Sequence, residues 1–174
     1  MTATDLARDV RLLVLDVDGV FTDGGLWYDA DGRVTKRFDV RDGLGVKMAQ
    51  QQGLAVAVIT GLDHPAVRAR VTELGVEDYH AGYKSKTPML DSILERHGLT
   101  RSQAAYMGDD WVDAAPMEAV GLPMAVADAR PEIRAMAAWV SEARGGFGAV
   151  REAVEFILRA QGKLDQAFGW WKNL

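Results

Sequence analysis

The chain has 174 residues, 48% of them hydrophobic and 26% charged, with a formal charge of −5 and no cysteine. That length suits one domain with a substantial core. The missing basic block argues against nucleic acid, and the missing thiols exclude disulfides and thiolate metal sites and fit a reducing cytoplasm.

Read from its start, MTATDLARDVR lacks an apolar stretch of signal-peptide length, and no later run reaches the roughly 20 residues of a membrane span. The expectation is a cytoplasmic-type protein with no membrane partner. RLLVLDVD (11–18) is continuously apolar up to its carboxylates, as in a central parallel strand covered on both faces. GGLWYDADGRVTKRFDV (24–40) reads as a hairpin that turns at DADG (29–32). DGLGVKMAQQQG (42–53) has a helical pattern stopped by Gly53, and LAVAVIT (54–60) is a second buried strand. DHPAVRARVTELG (63–75) is a helix with Pro65 near its first turn and Gly75 at its end.

The rhythm continues with a helix in KTPMLDSILERHG (86–98), a third apolar strand in QAAYMGDD (103–110), and a helix in WVDAAPMEAVG (111–121) interrupted by Pro116. LPMAVA (122–127) is a short strand, and PEIRAMAAWV (131–140) a short helix leading into another. In GAVREAVEFILRAQG (148–162), Val150, Val154, Ile157 and Leu158 fall on one helical stripe. Residues 163–174 read as a tail, with Trp170 and Trp171 packed on the protein or on a neighbouring subunit. No repeat or linker divides the chain. Strand–helix alternation predicts an α/β fold, a Rossmann-like, mainly parallel sheet flanked by helices, from which the hairpin projects.

Three apolar runs end in reactive groups: Asp16 and Asp18, then Thr60 and Gly61, then Asp109 and Asp110. Ligands of parallel α/β sheets bind beyond the carboxyl ends of the strands, so these ends are expected to share one crevice. Residues two apart on a strand point the same way, which puts Asp16 and Asp18 on one face. A crevice with at least three carboxylates needs a cation, and an all-oxygen donor set favours Mg²⁺. With Lys86 added, the set suits phosphate, because an anionic nucleophile approaching an anionic phosphate needs ammonium, hydroxyl and metal charge to offset repulsion.

These residues carry a resemblance to the haloacid dehalogenase superfamily of phosphohydrolases. DVDGV matches its first motif, VIT ending in Thr60 its second, Lys86 its third and GDDWVD its fourth. The resemblance implies Asp16 as nucleophile and Asp18 as acid and then base. It also implies Mg²⁺ on Asp16, the Asp18 backbone carbonyl and Asp109, with Asp110 and Asp113 supporting that site, and Thr60 and Lys86 holding the phosphoryl group. Receiver domains of signalling proteins use similar residues, but there the lysine follows the last of the set, whereas Lys86 precedes Asp109.

Across nearly the whole chain, DVDGVFTDGGLWY, FDVRDGLGVKMA, AYMGDDWVD, VAVADARPEI and GGFGAVREAVEFILRAQGKLD are similar to the 3-deoxy-D-manno-octulosonate 8-phosphate phosphatase family of lipopolysaccharide precursor synthesis. That resemblance implies a single domain over 1–174 without a large cap, and a homotetramer in which hairpins assemble centrally and a neighbour helps close each site. It puts Asp39, Val40, Arg41, Asp42, Gly43, Lys47 and Arg70 near the sugar, beside Asp18, Thr60, Gly61 and Lys86. Two departures bear on the substrate: Leu62, where many members carry arginine, and Phe147, where relatives carry a polar residue. They keep two other readings open, a nonulosonate (sialic acid-type) 9-phosphate phosphatase and a phenylphosphate carboxylase delta-like subunit.

Overall fold

The computed structural model describes residues 1–173. Its core is a six-stranded, all-parallel sheet made of β1 (Leu12–Leu15), β4 (Ala55–Thr60), β5 (Asp78–Ala81), β6 (Ala104–Gly108), β7 (Leu122–Ala125) and β8 (Trp139–Val140), in the order β5-β4-β1-β6-β7-β8. Every residue of β1 is buried, as a strand covered on both faces requires. Each large aliphatic side chain so buried is worth about 1.5–3 kcal/mol. The chain leaves β1 toward β4 and returns to its other side at β6. The order therefore reverses at β1, and the crevice of such a fold opens at that strand's carboxyl end.

Among the described residues eight α-helices accompany the strands: α1 (Ala3–Arg8), α2 (Val40–Gln51), α3 (Pro65–Glu73), α4 (Thr87–His97), α5 (Ala114–Ala119), α6 (Pro131–Met136), α7 (Ala149–Ala160) and α8 (Leu164–Lys172). α2 and α1 pack on α7, while α5 contacts both α4 and α6, the separation expected when right-handed crossovers run in opposite directions on either side of β1. Val150, Val154, Ile157 and Leu158 of α7 are fully buried, as their stripe predicts.

Two expectations are corrected, and two elements are added. Pro116 does not interrupt a helix: a 3₁₀ turn (Trp111–Asp113) precedes α5, and Pro116 sits in the first turn of α5, where its missing N–H costs nothing. The segment after residue 162 is no plain tail, because it folds into α8, whose Trp171 packs against the core. Helix α1 was not expected, although Thr2 and Asp5 form a reciprocal capping box at its start. Strand β5 was also missed; its sequence, DYHA, is polar because it is a half-buried edge strand.

The projecting ribbon has two short antiparallel strands, β2 (Trp27–Tyr28) and β3 (Val34–Thr35). Asp29 shapes its turn by accepting from the N–H groups of Asp31 (2.9 Å) and Arg33 (2.8 Å). A Thr22–Phe38 bridge and an edge-on Phe21–Phe38 contact with centroids 5.6 Å apart fasten the ribbon's base to the body. Leu26, Trp27 and Tyr28 of the ribbon are exposed.

Candidate active site

The ends of β1, β4 and β6 lie side by side. The Asp16 N–H donates to the Met107 carbonyl (3.1 Å), which continues the β1–β6 ladder to the start of the acidic loop. Gly19 has a φ of +93°, and a Cβ there would fall 2.0 Å from an Asp109 carboxylate oxygen, so only glycine lets the two loops meet. The crevice of about 230 Å³ above them is lined by Asp16, Asp18, Thr60, Gly61, Lys86, Asp109 and Asp110, all expected from the sequence. Leu62, Tyr83, Lys84 and Val112 form the remaining wall.

Lys86 is the hub. Its buried Nζ lies 2.7 Å from Asp16 Oδ1 and 2.7 Å from Asp113 Oδ1. Asp113, fully buried, accepts on Oδ1 from Lys86 and from the Tyr106 hydroxyl (2.8 Å), and on Oδ2 from the N–H groups of Asp109 (3.0 Å) and Asp110 (3.4 Å). Its lone pairs are occupied, so it orients Lys86 and the β6 loop. Asp110 accepts from the Trp111 N–H (2.7 Å) and caps the 3₁₀ turn that holds this loop. The buried Thr60 hydroxyl accepts from the Leu62 N–H (3.4 Å), so its own proton is free for a ligand.

Carboxylate oxygens of Asp16, Asp109 and Asp113 all lie within 4.8 Å of one another. Burial, and then the Asp113 charge, push Asp16 up to about 7 despite the Lys86 ammonium. Burial, followed by Asp16 and Asp113, pushes Asp109 up to about 8. Burial pulls the Lys86 ammonium down, but Asp16 and Asp113 more than offset this and hold it above its ordinary value. One ammonium does not neutralise three carboxylates. The donor set is all oxygen and short of positive charge, which fits a hard divalent cation between Asp16 and Asp109.

The remaining expected residues stand outside the crevice of a single chain. Asp39 caps α2 and is held down to about 2 by Arg41, whose Nε and Nη2 bind it at 3.0 and 2.8 Å; Arg41 Nη2 also donates to the Phe147 carbonyl (2.8 Å). Val40 is exposed. Asp42 is buried and accepts from the N–H groups of Gly148 (3.2 Å) and Arg151 (2.9 Å), which makes it an anchor for α7. Gly43 accommodates Arg70, whose guanidinium would lie 2.1 Å from a Cβ there; Arg70 also pairs with Glu73 (2.8 Å). Lys47 reaches the C-terminal end of α3, 3.6 Å from the Cβ position of Gly75, because α2 has descended two turns from the crevice by then.

Four residues beside the expected set belong to this region. Tyr83 and Lys84 follow β5 and were hidden with it. Tyr106 lies inside an apolar run whose periodicity does not distinguish a packed ring from a hydrogen-bonding one. Lys36 is paired with Asp18 Oδ1 by a side chain only 1% exposed. Its signal was readable: Val34, Lys36 and Phe38 alternate with the exposed Thr35 and Arg37, so the lysine occupies an inward position.

Fold and crevice together define a haloacid dehalogenase-like hydrolase, and the family model with that description matches residues 80–152. The 3-deoxy-D-manno-octulosonate 8-phosphate phosphatase of Escherichia coli is 42% identical over 163 residues, covering 94% of this chain and 87% of that one. Its Haemophilus influenzae counterpart is 41% identical over 170 residues, covering 96% and 94%. The solved structure of the Moraxella catarrhalis enzyme of the same name, in complex with magnesium, phosphate and KDO, superposes with a TM-score of 0.94 at 34% identity, covering 97% of each chain. The chain belongs to the 3-deoxy-D-manno-octulosonate 8-phosphate phosphatase family.

Proposed function

We propose that this chain hydrolyses 3-deoxy-D-manno-octulosonate 8-phosphate to the free sugar acid and phosphate, with Mg²⁺ as cofactor. The observation that carries this reading is the Asp16–Lys86–Asp109 arrangement at the carboxyl edge of the sheet, in a chain so similar to phosphatases named for that substrate. Asp16 attacks phosphorus through a carboxylate oxygen, the bond to the sugar oxygen breaks, and Asp18 delivers a proton to that oxygen. Asp18 then takes a proton from the water that attacks the aspartyl-phosphate, which releases phosphate and restores Asp16. Lys86 and the Thr60 hydroxyl hold phosphoryl oxygens. Asp16, Asp109 and the Asp18 carbonyl would hold Mg²⁺, which would supply positive charge where nucleophile and phosphate meet.

A crevice of about 230 Å³ takes the phosphoryl end, and the sugar acid extends past Leu62, Tyr83 and Lys84. We assign the segment from Asp39 to Gly43, with Lys47 and Arg70, to the sugar in a homotetramer whose exposed hairpin side chains meet centrally. The reading covers the whole chain as one domain with the hairpin as its insert, working in the cytoplasm. Among the described residues no helix is long and apolar enough to cross a membrane.

The test is phosphate release from the eight-carbon substrate and from a nonulosonate 9-phosphate, assayed side by side with Mg²⁺. Turnover of the first alone is expected. The reverse pattern would reassign the substrate, in keeping with Leu62 at the mouth. Turnover of neither, with large carboxylase subunits co-purifying, would make the chain a delta-like subunit.

A further inference from the structure

We infer that Lys36, carried to the crevice by the hairpin, is a positioning residue that fixes the carboxylate of Asp18. This rests on the assignment of Asp18 as proton donor to the leaving oxygen. The hairpin strand runs inward on alternate residues, and between Val34 and Phe38 stands a lysine with a side chain 1% exposed. An ammonium withdrawn from water needs a counterion. Among the described residues Lys36 has one, Asp18, which is itself a third exposed and faces the crevice.

The contact is specific in its atoms. Lys36 Nζ donates to Asp18 Oδ1, and the Thr22 hydroxyl lies 3.5 Å from the same oxygen while donating to the Val17 carbonyl at 3.2 Å. Asp18 Oδ2 accepts no hydrogen bond among the described residues. One oxygen is tethered and the other is presented. In the step assigned to Asp18, the electron pair of the breaking P–O bond stays on the sugar oxygen, and the proton moves to it from the presented oxygen. A carboxyl free to rotate spends less time in that geometry. The tether comes from the ribbon, so the segment that reaches outward to other subunits also sets the rotamer of the acid.

The experiment measures kcat/KM for Lys36→Met and Lys36→Arg on two phosphomonoesters: p-nitrophenyl phosphate, whose leaving group departs without a proton, and the primary alkyl ester of the sugar acid. kcat/KM reports the steps through departure of the leaving group, so it isolates the acid's role. Lys36→Met should lower kcat/KM for the alkyl ester roughly 10- to 100-fold, part of the usual worth of a placed general acid. The aryl ester should change less than about threefold, and Lys36→Arg should recover most of the alkyl activity by restoring a cation. Equal losses on both esters, or no loss on either, overturn the inference. If Lys36→Met does not fold, judged by its thermal melt, the same split is read in Lys36→Gln, with Lys36→Arg as the variant that restores the cation. Failure of the unaltered protein to hydrolyse the alkyl ester would count against the proposed function itself, so the two failures are distinguishable.

Discussion

Asp113 shows how much one buried side chain can organise from behind the wall of the crevice. Its two oxygens satisfy an ammonium, a phenol and two backbone N–H groups, and through them it sets Lys86 against Asp16 and closes the β6 loop. Removing one member of such a buried set leaves the others desolvated and unpaired, at about 3–5 kcal/mol. Asp113→Ala should therefore lose about that much stability in a denaturant titration and also lose turnover; a variant with an unchanged midpoint would contradict the role. The chemistry at the strand ends was legible because carboxylates after apolar runs are conspicuous. The partners that support it were not, since Tyr106 and Asp113 meet only after β6 and its loop have folded. Lys36 meets Asp18 across 18 residues and through a hairpin.

At the scale of elements, α7 is preceded at its N-cap by Gly148, which offers no side chain to its first N–H groups. Asp42 of α2 supplies the missing acceptor for Gly148 and Arg151, so one carboxylate both caps α7 and ties it to α2. Asp42→Ala should cost about 1–3 kcal/mol, read as a lower denaturation midpoint, because one buried and one partly buried donor lose their partner. A stability unchanged within error would show that the cap is dispensable. The sequence places Asp42 beside the sugar through its resemblance, but the packing that gives it a structural task is a contact between residues more than a hundred positions apart. The central strands were readable from apolar runs alone. The edge strand β5 was not, because an edge exposes half its side chains and carries polar residues that erase the pattern.

Taken whole, the molecule concentrates negative charge at one end of its sheet, and that has a consequence for stability. Asp16 and Asp109 rise from an ordinary 3.8 to about 7 and about 8, first through burial and then through neighbouring carboxylates. The folded metal-free chain thus binds more protons than the unfolded chain between roughly pH 4 and 8, and stability falls as pH rises through that window. On the proposed metal site, a divalent cation would bind the ionised carboxylates and reverse the loss. Mg²⁺ should raise the melting temperature clearly at pH 8 and little at pH 5; an equal shift at both would contradict the assignment of the cluster. Fold class and the gathering of three reactive strand ends in one crevice follow from alternation and strand-end chemistry, whereas the strand order comes from the structure alone. The ribbon's contribution to the site does not, because it depends on how a marginal two-stranded element docks on the body. The most direct test of the whole account is phosphate release from the octulosonate 8-phosphate by Asp16→Asn beside the unaltered protein, both with Mg²⁺. The account predicts rapid release by the unaltered protein and none by the variant, with the fold intact by its melt. A variant that keeps a rate near the parent's would remove Asp16 as nucleophile and the mechanism with it.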